Sequence, residues 1–171
     1  MGHALMENRH GLVVDFDVSE ATGHAERDVG VQMVDRERER REKRQRKAKK
    51  KQKQAQRKRT KKCRRMTLAA DKAYDTRDFV RACRERRVTP HVAQNQHARR
   101  RSSIDGRTTC RPGYRVSQRA RMLVEKVFGW LKTVGGTRRS RFRGLERTRF
   151  AALMAVAAFN LLRIPQLLPA P

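Results

Sequence analysis

A run of basic residues in the first half of the chain limits how it can fold more than any other feature. Residues 35–65 hold 19 Lys and Arg against four acidic residues, a net charge of +15, whereas the other 140 residues carry +12. The only apolar residues in the run are Ala48, Ala55 and Cys63. Because so few apolar side chains cannot form a buried stripe, we expect either a disordered segment or a solvated helix with pairs such as Glu37–Arg41.

The overall charge indicates which partners the chain can have. With 44 Lys and Arg against 17 Asp and Glu, its formal charge is +27. An excess of this size favours a polyanionic partner, usually DNA or RNA. A DNA-binding arm is the functional interpretation of residues 35–65, and a solvated insertion with only nonspecific affinity is the alternative.

The sequence favours neither a membrane protein nor a disulfide-bonded protein. The most apolar stretch, Phe150–Phe159, has ten residues, while a bilayer-spanning helix needs about 20. We therefore expect it to form a buried helix of a soluble protein. The N-terminus lacks the apolar segment of a signal peptide, which predicts a cytoplasmic location. Cys63, Cys83 and Cys110 are scattered, so neither a disulfide framework nor a cysteine or histidine metal site is expected.

Outside the basic run, the pattern is that of an α/β domain. We divide it into residues 1–34, a strand hairpin followed by a helix, and residues 66–168, where strands and helices alternate. Together they predict one mixed sheet with helices packed on it. Strands are expected at His3–Asn8, Leu12–Val18, Met66–Ala70 and Val88–Val92, and helices from Ala25, from Asp75 or Thr76, from about Ser117 and over Leu145–Leu162.

Two sets of residues carry candidate chemistry. Arg121, Glu125 and Lys132 are spaced four and seven apart, which places them along one face of a helix. A carboxylate can hold a divalent cation there while the bases neutralise phosphates. An exposed ion pair of little energetic value explains the same spacing, and the spacing alone favours it. The second set is Asp71 with Lys72, at the end of an apolar strand where α/β sheets place ligand-binding groups. Asp75 is better explained as a helix cap.

Several longer blocks resemble the DDE transposases of bacterial insertion sequences, in the group known as family five. The resemblance covers residues 2–34 and 66–168. The blocks that carry it are Gly2–Val14, Ala21–Arg27, Asp71–Asp75, Val88–Asn95, Ile104–Thr109, Gly113–Tyr114, Glu125–Gly136 and Ala158–Arg163.

This resemblance implies an RNase H-like catalytic domain with an Asp, Asp, Glu triad that binds two Mg²⁺ ions. Asp71 corresponds to the second acid and Glu125 to the third, so both are candidate catalytic and metal-binding residues. Arg121, Lys132 and Lys72 are the candidate DNA-binding residues. The family signature around the Glu begins with a Tyr, where this sequence has Gln118. Active members usually work as multimers on DNA, which predicts a homo-oligomer associated with the nucleoid.

Two departures from the family pattern shape the expectation for this chain. The first catalytic Asp should lie on a strand that precedes the hairpin, and Asp15 and Asp17, on the later hairpin strand, are not assigned to that role. Residues 35–65 are longer than the family's link. We therefore expect an RNase H-like fold without its first strand, in a truncated and inactive transposase. The alternative is a non-enzymatic basic nucleic-acid-binding protein that uses residues 35–65.

Overall fold

A computed structural model describes residues 1–54, 66–96 and 101–168. Four strands and six helices alternate along these residues. They are β1 (Gly2–Met6), β2 (Val13–Val18), α1 (Ala25–Gln54), β3 (Met66–Ala70), α2 (Arg77–Glu85), β4 (Val88–Val92), α3 (Gly106–Thr109), α4 (Pro112–Arg121), α5 (Leu123–Thr133) and α6 (Leu145–Arg163). Short 3₁₀ turns follow β3 at Lys72–Tyr74 and α6 at Pro165–Leu167.

The expected hairpin is present in β1 and β2, which pair antiparallel with Ala4 opposite Phe16. Its turn is stabilised by the Glu7 carboxylate, which accepts hydrogen bonds from the backbone N–H groups of Arg9 and His10. Gly11 has a φ of 72°, a conformation that glycine adopts without a steric penalty. We call the hairpin, together with α5 and α6, the hairpin half.

Strands β3 and β4 pair in parallel, and α2 connects them. Thr76 caps α2, because its hydroxyl oxygen accepts from the Phe79 N–H. Phe79, Val80 and Cys83 point inward from α2, as the sequence predicted. Pro90 lies within β4, which is compatible with a proline because β4 has no second neighbour among the described strands. We call β3, β4 and α2 the parallel half.

The four strands do not form one sheet. β1 pairs only with β2 and β3 pairs only with β4 among the described residues, so there are two sheets of two strands each. The prediction of a single mixed sheet is therefore wrong for this part of the chain. The facing edges of β1 and β3 border a groove, which is described below with the site.

Helix α1 joins the two halves. Arg36 donates to Asp15 at 2.7 Å and to Asp17 at 3.1 Å on β2. On its other side, Asp35 accepts from Arg86, which follows α2, at 2.7 Å. Val34, only 1% exposed, packs in the core of the parallel half. Neighbouring residues of one helical turn thus hold both sheets.

Beyond that turn, α1 continues through the basic run as a helix as far as Gln54. The expected pair forms, with Arg41 donating to Glu37 at 2.8 Å. Of the two alternatives drawn from the sequence, the helix is therefore the one found for residues 35–54, and its side chains are exposed at residues 41–48. Residues 55–65 lie outside the described residues.

The segment that precedes the Glu125 region is more helical than its sequence predicts. The polar sequence of residues 94–116, with Gly106, Pro112 and Gly113, is typical of a long loop, but the segment includes α3, capped by the Asp105 carboxylate, and the start of α4. Helix α4 begins at Pro112 rather than near Ser117, consistent with the preference of proline for a first helical turn. The helix also breaks at Met122, so that α5 is a separate helix.

The last helix, α6, covers one face of the hairpin. Ala152 and Val156 are buried with Val13 and Phe16 in the hairpin core. Asn160 holds the helix in place, because its side chain accepts from the Val13 N–H at 3.0 Å and donates to the Val13 carbonyl at 2.8 Å.

The opposite face of α6 is exposed, so the expectation of a buried helix is wrong. Exposed apolar side chains include Phe150, Met154 and Leu161. By length and composition alone, Leu145–Leu167 could cross a membrane, a test that core helices of soluble proteins also pass.

Candidate active site

Asp71 lies where β3 ends, at the entrance to the following 3₁₀ turn. One oxygen of its carboxylate accepts from the Lys72 N–H and from Arg121 Nη1, both at 2.7 Å. The Asp71 side chain is nonetheless 62% exposed. A carboxylate that is both oriented and open to solvent retains free lone pairs for a further ligand.

Arg121, the last residue of α4, presents a buried donor without an acceptor. Its Nη1 is bonded to Asp71, but its Nε has no hydrogen-bond partner among the described residues and no contact with solvent. A buried N–H of a charged group that remains unpaired costs free energy. Its position therefore fits a further acceptor, such as a carboxylate or a phosphate oxygen.

Glu125 lies in the first turn of α5 and is exposed. Arg121 and Glu125 do not share one helix, as their spacing had predicted, because the break at Met122 separates them. The Glu125 N–H bonds to the Met122 carbonyl at 3.2 Å across this break. Asp71, Arg121 and Glu125 nevertheless all line the same groove.

This groove separates the two halves of the molecule. It has a volume of about 560 Å³, with β1 along one side and β3 along the other. Gly30 and Val34 of α1 line it from one face, while Val124 and Phe128 line it from the other. The groove is thus bordered by one strand of each sheet, with apolar residues among its lining.

Two further groove residues, Glu26 and Tyr74, were missed at the sequence level. Burial, with Glu26 and Asp71 nearby, raises the pKa of Tyr74 to about 12. Glu26 also acts on His3, whose pKa is lowered chiefly by burial. His3, Glu26, Asp71 and Tyr74 all line the groove.

The two remaining predicted DNA contacts, Lys72 and Lys132, are both exposed, and neither lines the groove. Lys132 is in the last turn of α5, seven residues beyond Glu125, which is about 10 Å along a helix.

Asp71 and Glu125 are the predicted ligands of a divalent cation, and both line the groove. Mg²⁺ commonly takes one or two carboxylates and completes its shell with waters and substrate phosphates. No group of three or more His, Cys, Asp or Glu that could hold a metal occurs among the described residues.

Asp15 and Asp17 are engaged in the structure of the hairpin half. Asp15 accepts from Arg36 and Arg40, and Asp17 pairs with Arg36 and with Arg149 of α6 at 3.1 Å. Neither carboxylate lines the groove. Their geometry explains them as anchors for α1 and α6.

Gln118 and Asp75 also have local structural partners. Gln118, at the position where the family signature has Tyr, donates to the His91 carbonyl at 2.6 Å and so fastens α4 to β4. Asp75 is buried and accepts from the N–H groups of Asn95 and Ser103, each at 2.8 Å. The expectation that Asp75 caps α2 is wrong, because Thr76 does so.

A larger and more open cavity, of about 920 Å³, lies between the starts of α1 and α2. It mixes Arg27, Arg77 and Arg101 with Asp28 and Asp78. None of the site residues predicted from the sequence lines it. The smaller groove is therefore the better candidate for chemistry.

Comparison with known proteins gives an independent indication. The family model described as "Transposase DDE domain" matches residues 1–161. Neither the curated proteins nor the solved structures gave a match. The matched range includes the groove, both of its strand edges and all five predicted site residues. The chain therefore belongs to the family of transposase DDE domains.

Proposed function

We propose that this chain carries an incomplete centre for metal-dependent DNA cleavage and strand transfer, whose remaining acid comes with a strand in the groove. Transposase domains act on DNA, which makes DNA the partner. One observation carries the proposal. Asp71, Glu125 and Arg121, whose buried Nε has no partner among the described residues, line one groove between β1 and β3.

In this proposal, each side chain has a separate task. Asp71 and Glu125 provide the oxygen ligands for Mg²⁺, which supplies activation of a water or a DNA 3′-hydroxyl and stabilises the leaving oxygen. Arg121 holds Asp71 in place and offers Nε to the acid of the incoming strand or to a phosphate. Lys72 and Lys132 hold the DNA backbone on either side, as positive charges beside developing negative charge.

The direct test is cleavage of DNA that bears the element's ends, with Mg²⁺ or Mn²⁺. We expect the 171-residue chain to give no cleavage or strand transfer. A fusion to the segment encoded immediately upstream should restore some activity. Asp71→Ala and Glu125→Ala in the fusion should abolish that activity while DNA binding persists. Glu85→Gln, an exposed carboxylate on α2 remote from the groove, is the matched control and should leave activity intact. Robust cleavage by the unfused chain would contradict the incomplete-centre proposal.

A non-enzymatic role in nucleic-acid binding is the second candidate, and the outer part of α1 favours it. Residues 41–48 of this helix are all exposed and mostly basic, including Arg44, Arg46 and Lys47. A protein that neutralises ten phosphates loses affinity with a log–log salt slope of roughly −9.

Three substitutions in the outer part of α1 test this role. Arg44→Gln, Arg46→Gln and Lys47→Gln together should flatten the slope by about 2 to 3. The same change at Arg138, Arg139 and Arg141, exposed between α5 and α6, is the charge-matched control. An equal effect from both triple variants would argue against a dedicated arm.

A further inference from the structure

The exposed face of α6 is an uninterrupted apolar strip. Phe150, Met154 and Leu161 are 58–68% exposed, and they recur at the four- and seven-residue spacing of one helix face. Leu153 and Leu162 flank them and are exposed as well. From Phe150 to Pro165 the strip is about 24 Å long and about 10 Å wide. A contiguous patch of a few hundred Å² usually marks an interaction site.

The order of side chains along this strip is symmetric. Two small residues, Ala157 and Ala158, lie at its centre and are both exposed. The pairs Leu153–Met154 and Leu161–Leu162 lie at equal distances before and after them, and Phe150 and Pro165 lie at equal distances farther out. If a second α6 is placed antiparallel with Ala157 facing Ala158, Met154 faces Leu161 and Phe150 faces Pro165.

The charges fit the same arrangement. Between Phe150 and Leu162, no exposed residue of α6 is charged. Glu146 and Arg147 precede the strip, and in the antiparallel arrangement they face the second copy beyond the end of its helix. Two strongly positive chains can therefore meet along α6 without placing like charges in the contact.

Other occupants match the structure less well. Entry of α6 into a membrane would remove Ala152 and Val156 from the hairpin core and break both hydrogen bonds between Asn160 and Val13. A DNA occupant would meet no charged side chain on the strip. We propose that the exposed face of α6 binds a second copy of this chain, in a symmetric dimer with two α6 helices packed antiparallel across Ala157 and Ala158.

With a strip of roughly 24 Å by 10 Å on each copy, the contact is smaller than specific interfaces of about 1,200 Å² or more in total, and it is therefore a weak, transient contact. We therefore expect a monomer–dimer equilibrium in the micromolar range. Sedimentation of the full chain at about 1–100 μM, after nuclease treatment and in about 0.5 M salt to screen repulsion, measures it. Leu161→Glu places two buried charges in the dimer and should raise the dissociation constant at least about 100-fold. Val134→Glu, at a residue equally exposed but on the C-terminal side of α5, is the matched control and should leave it unchanged.

A disulfide test fixes the register without requiring a destabilised variant. In a background with Cys63→Ser and Cys110→Ser, Met154→Cys with Leu161→Cys should oxidise to a covalent dimer. Within one helix these positions are about 10 Å apart, too far for an internal disulfide. Val116→Cys with Val134→Cys should remain monomeric. A chain monomeric at every concentration, a dimer that survives Leu161→Glu, or binding to anionic vesicles without dimerisation would each overturn the proposal.

Discussion

The parallel half and the hairpin half bury their cores to different extents. In the parallel half, Phe79, Val92 and the other core side chains are at most 4% exposed. In the hairpin half, Phe16 and Ala152 reach 7% and 9%. Both halves border the groove, but only the hairpin half carries a helix, α6, with an exposed apolar face. Two sheets of equal strand number therefore differ in how completely their core side chains are buried.

The largest expected effect is a difference in thiol labelling rate between Cys83 and Cys110. It tests how rarely the core of the parallel half opens to solvent. Burial raises the pKa of Cys83 to about 11, so its reactive thiolate is scarce. Cys110 is exposed. In a Cys63→Ser background, we expect a maleimide to label Cys110 at least about 1,000-fold faster than Cys83. Comparable rates would show that the parallel half opens readily and would remove the distinction between the halves.

Replacement of one core phenylalanine by alanine in each half compares how much each core contributes to the free energy of unfolding. Phe79→Ala should lower the free energy of unfolding by about 3–5 kcal/mol, because Phe79 is only 3% exposed in its core. Phe16→Ala should cost less, about 2–3 kcal/mol, since Phe16 is less completely buried, at 7% exposure, and packs on Gly2 and Phe128. Denaturant unfolding measures both. Equal costs would mean that the hairpin core is packed as tightly as the core of the parallel half.

Removal of the ion pairs that Arg36 of α1 makes with β2 tests whether α1 holds the two halves together. Arg36→Ala leaves Asp15 and Asp17, both poorly exposed, with fewer partners and should destabilise the fold by about 1–3 kcal/mol. Arg38→Ala removes an exposed pair with Glu42 at 3.8 Å and should change stability by less than about 0.5 kcal/mol. Thermal unfolding distinguishes them, and identical effects would contradict the anchoring role.

The smallest expected effect is a dependence of stability on pH in both halves. Burial lowers the pKa of His3 in the hairpin half and of His91 in the parallel half below 6.5. Unfolding therefore takes up protons as the pH falls below 6.5, so stability is full above that value and declines beneath it. His91→Gln and His3→Gln should each reduce this decline slightly in denaturation measured between pH 7.5 and 5. A decline unchanged in both variants would assign it to other groups.

Local patterns predicted individual elements better than their assembly. Thr76 as a possible cap, the inward face of α2 and the hairpin turn all follow from interactions within a few residues, and the structure has them. The break at Met122 was missed, because the apolar spacing of Val124, Val127 and Leu131 continues smoothly from what precedes it. Glu26 was missed because its proximity to Tyr74 depends on how α1 packs across the groove.

The site residues show the same limit. The position of Asp71 at a strand end is a local property and was predicted. Whether Asp71 and Glu125 would line one groove depends on packing between elements 50 residues apart, and only the family resemblance indicated it. The separation into two sheets was not predicted, since no local pattern reports which strand edges remain unpaired.

The two hydrogen bonds between Asn160 and Val13 have a consequence for the order in which parts of the protein can fold during synthesis. The hairpin leaves the ribosome before the helix that covers Val13 and Phe16, because Asn160 is translated 147 residues after Val13. At about 5–20 residues per second, this interval is roughly 7–30 s. The parallel half, whose strands and α2 lie within residues 66–92, is translated entirely within it. The hairpin therefore waits for its cover while the parallel half is made, and a nascent chain held at that stage should be a substrate for chaperones.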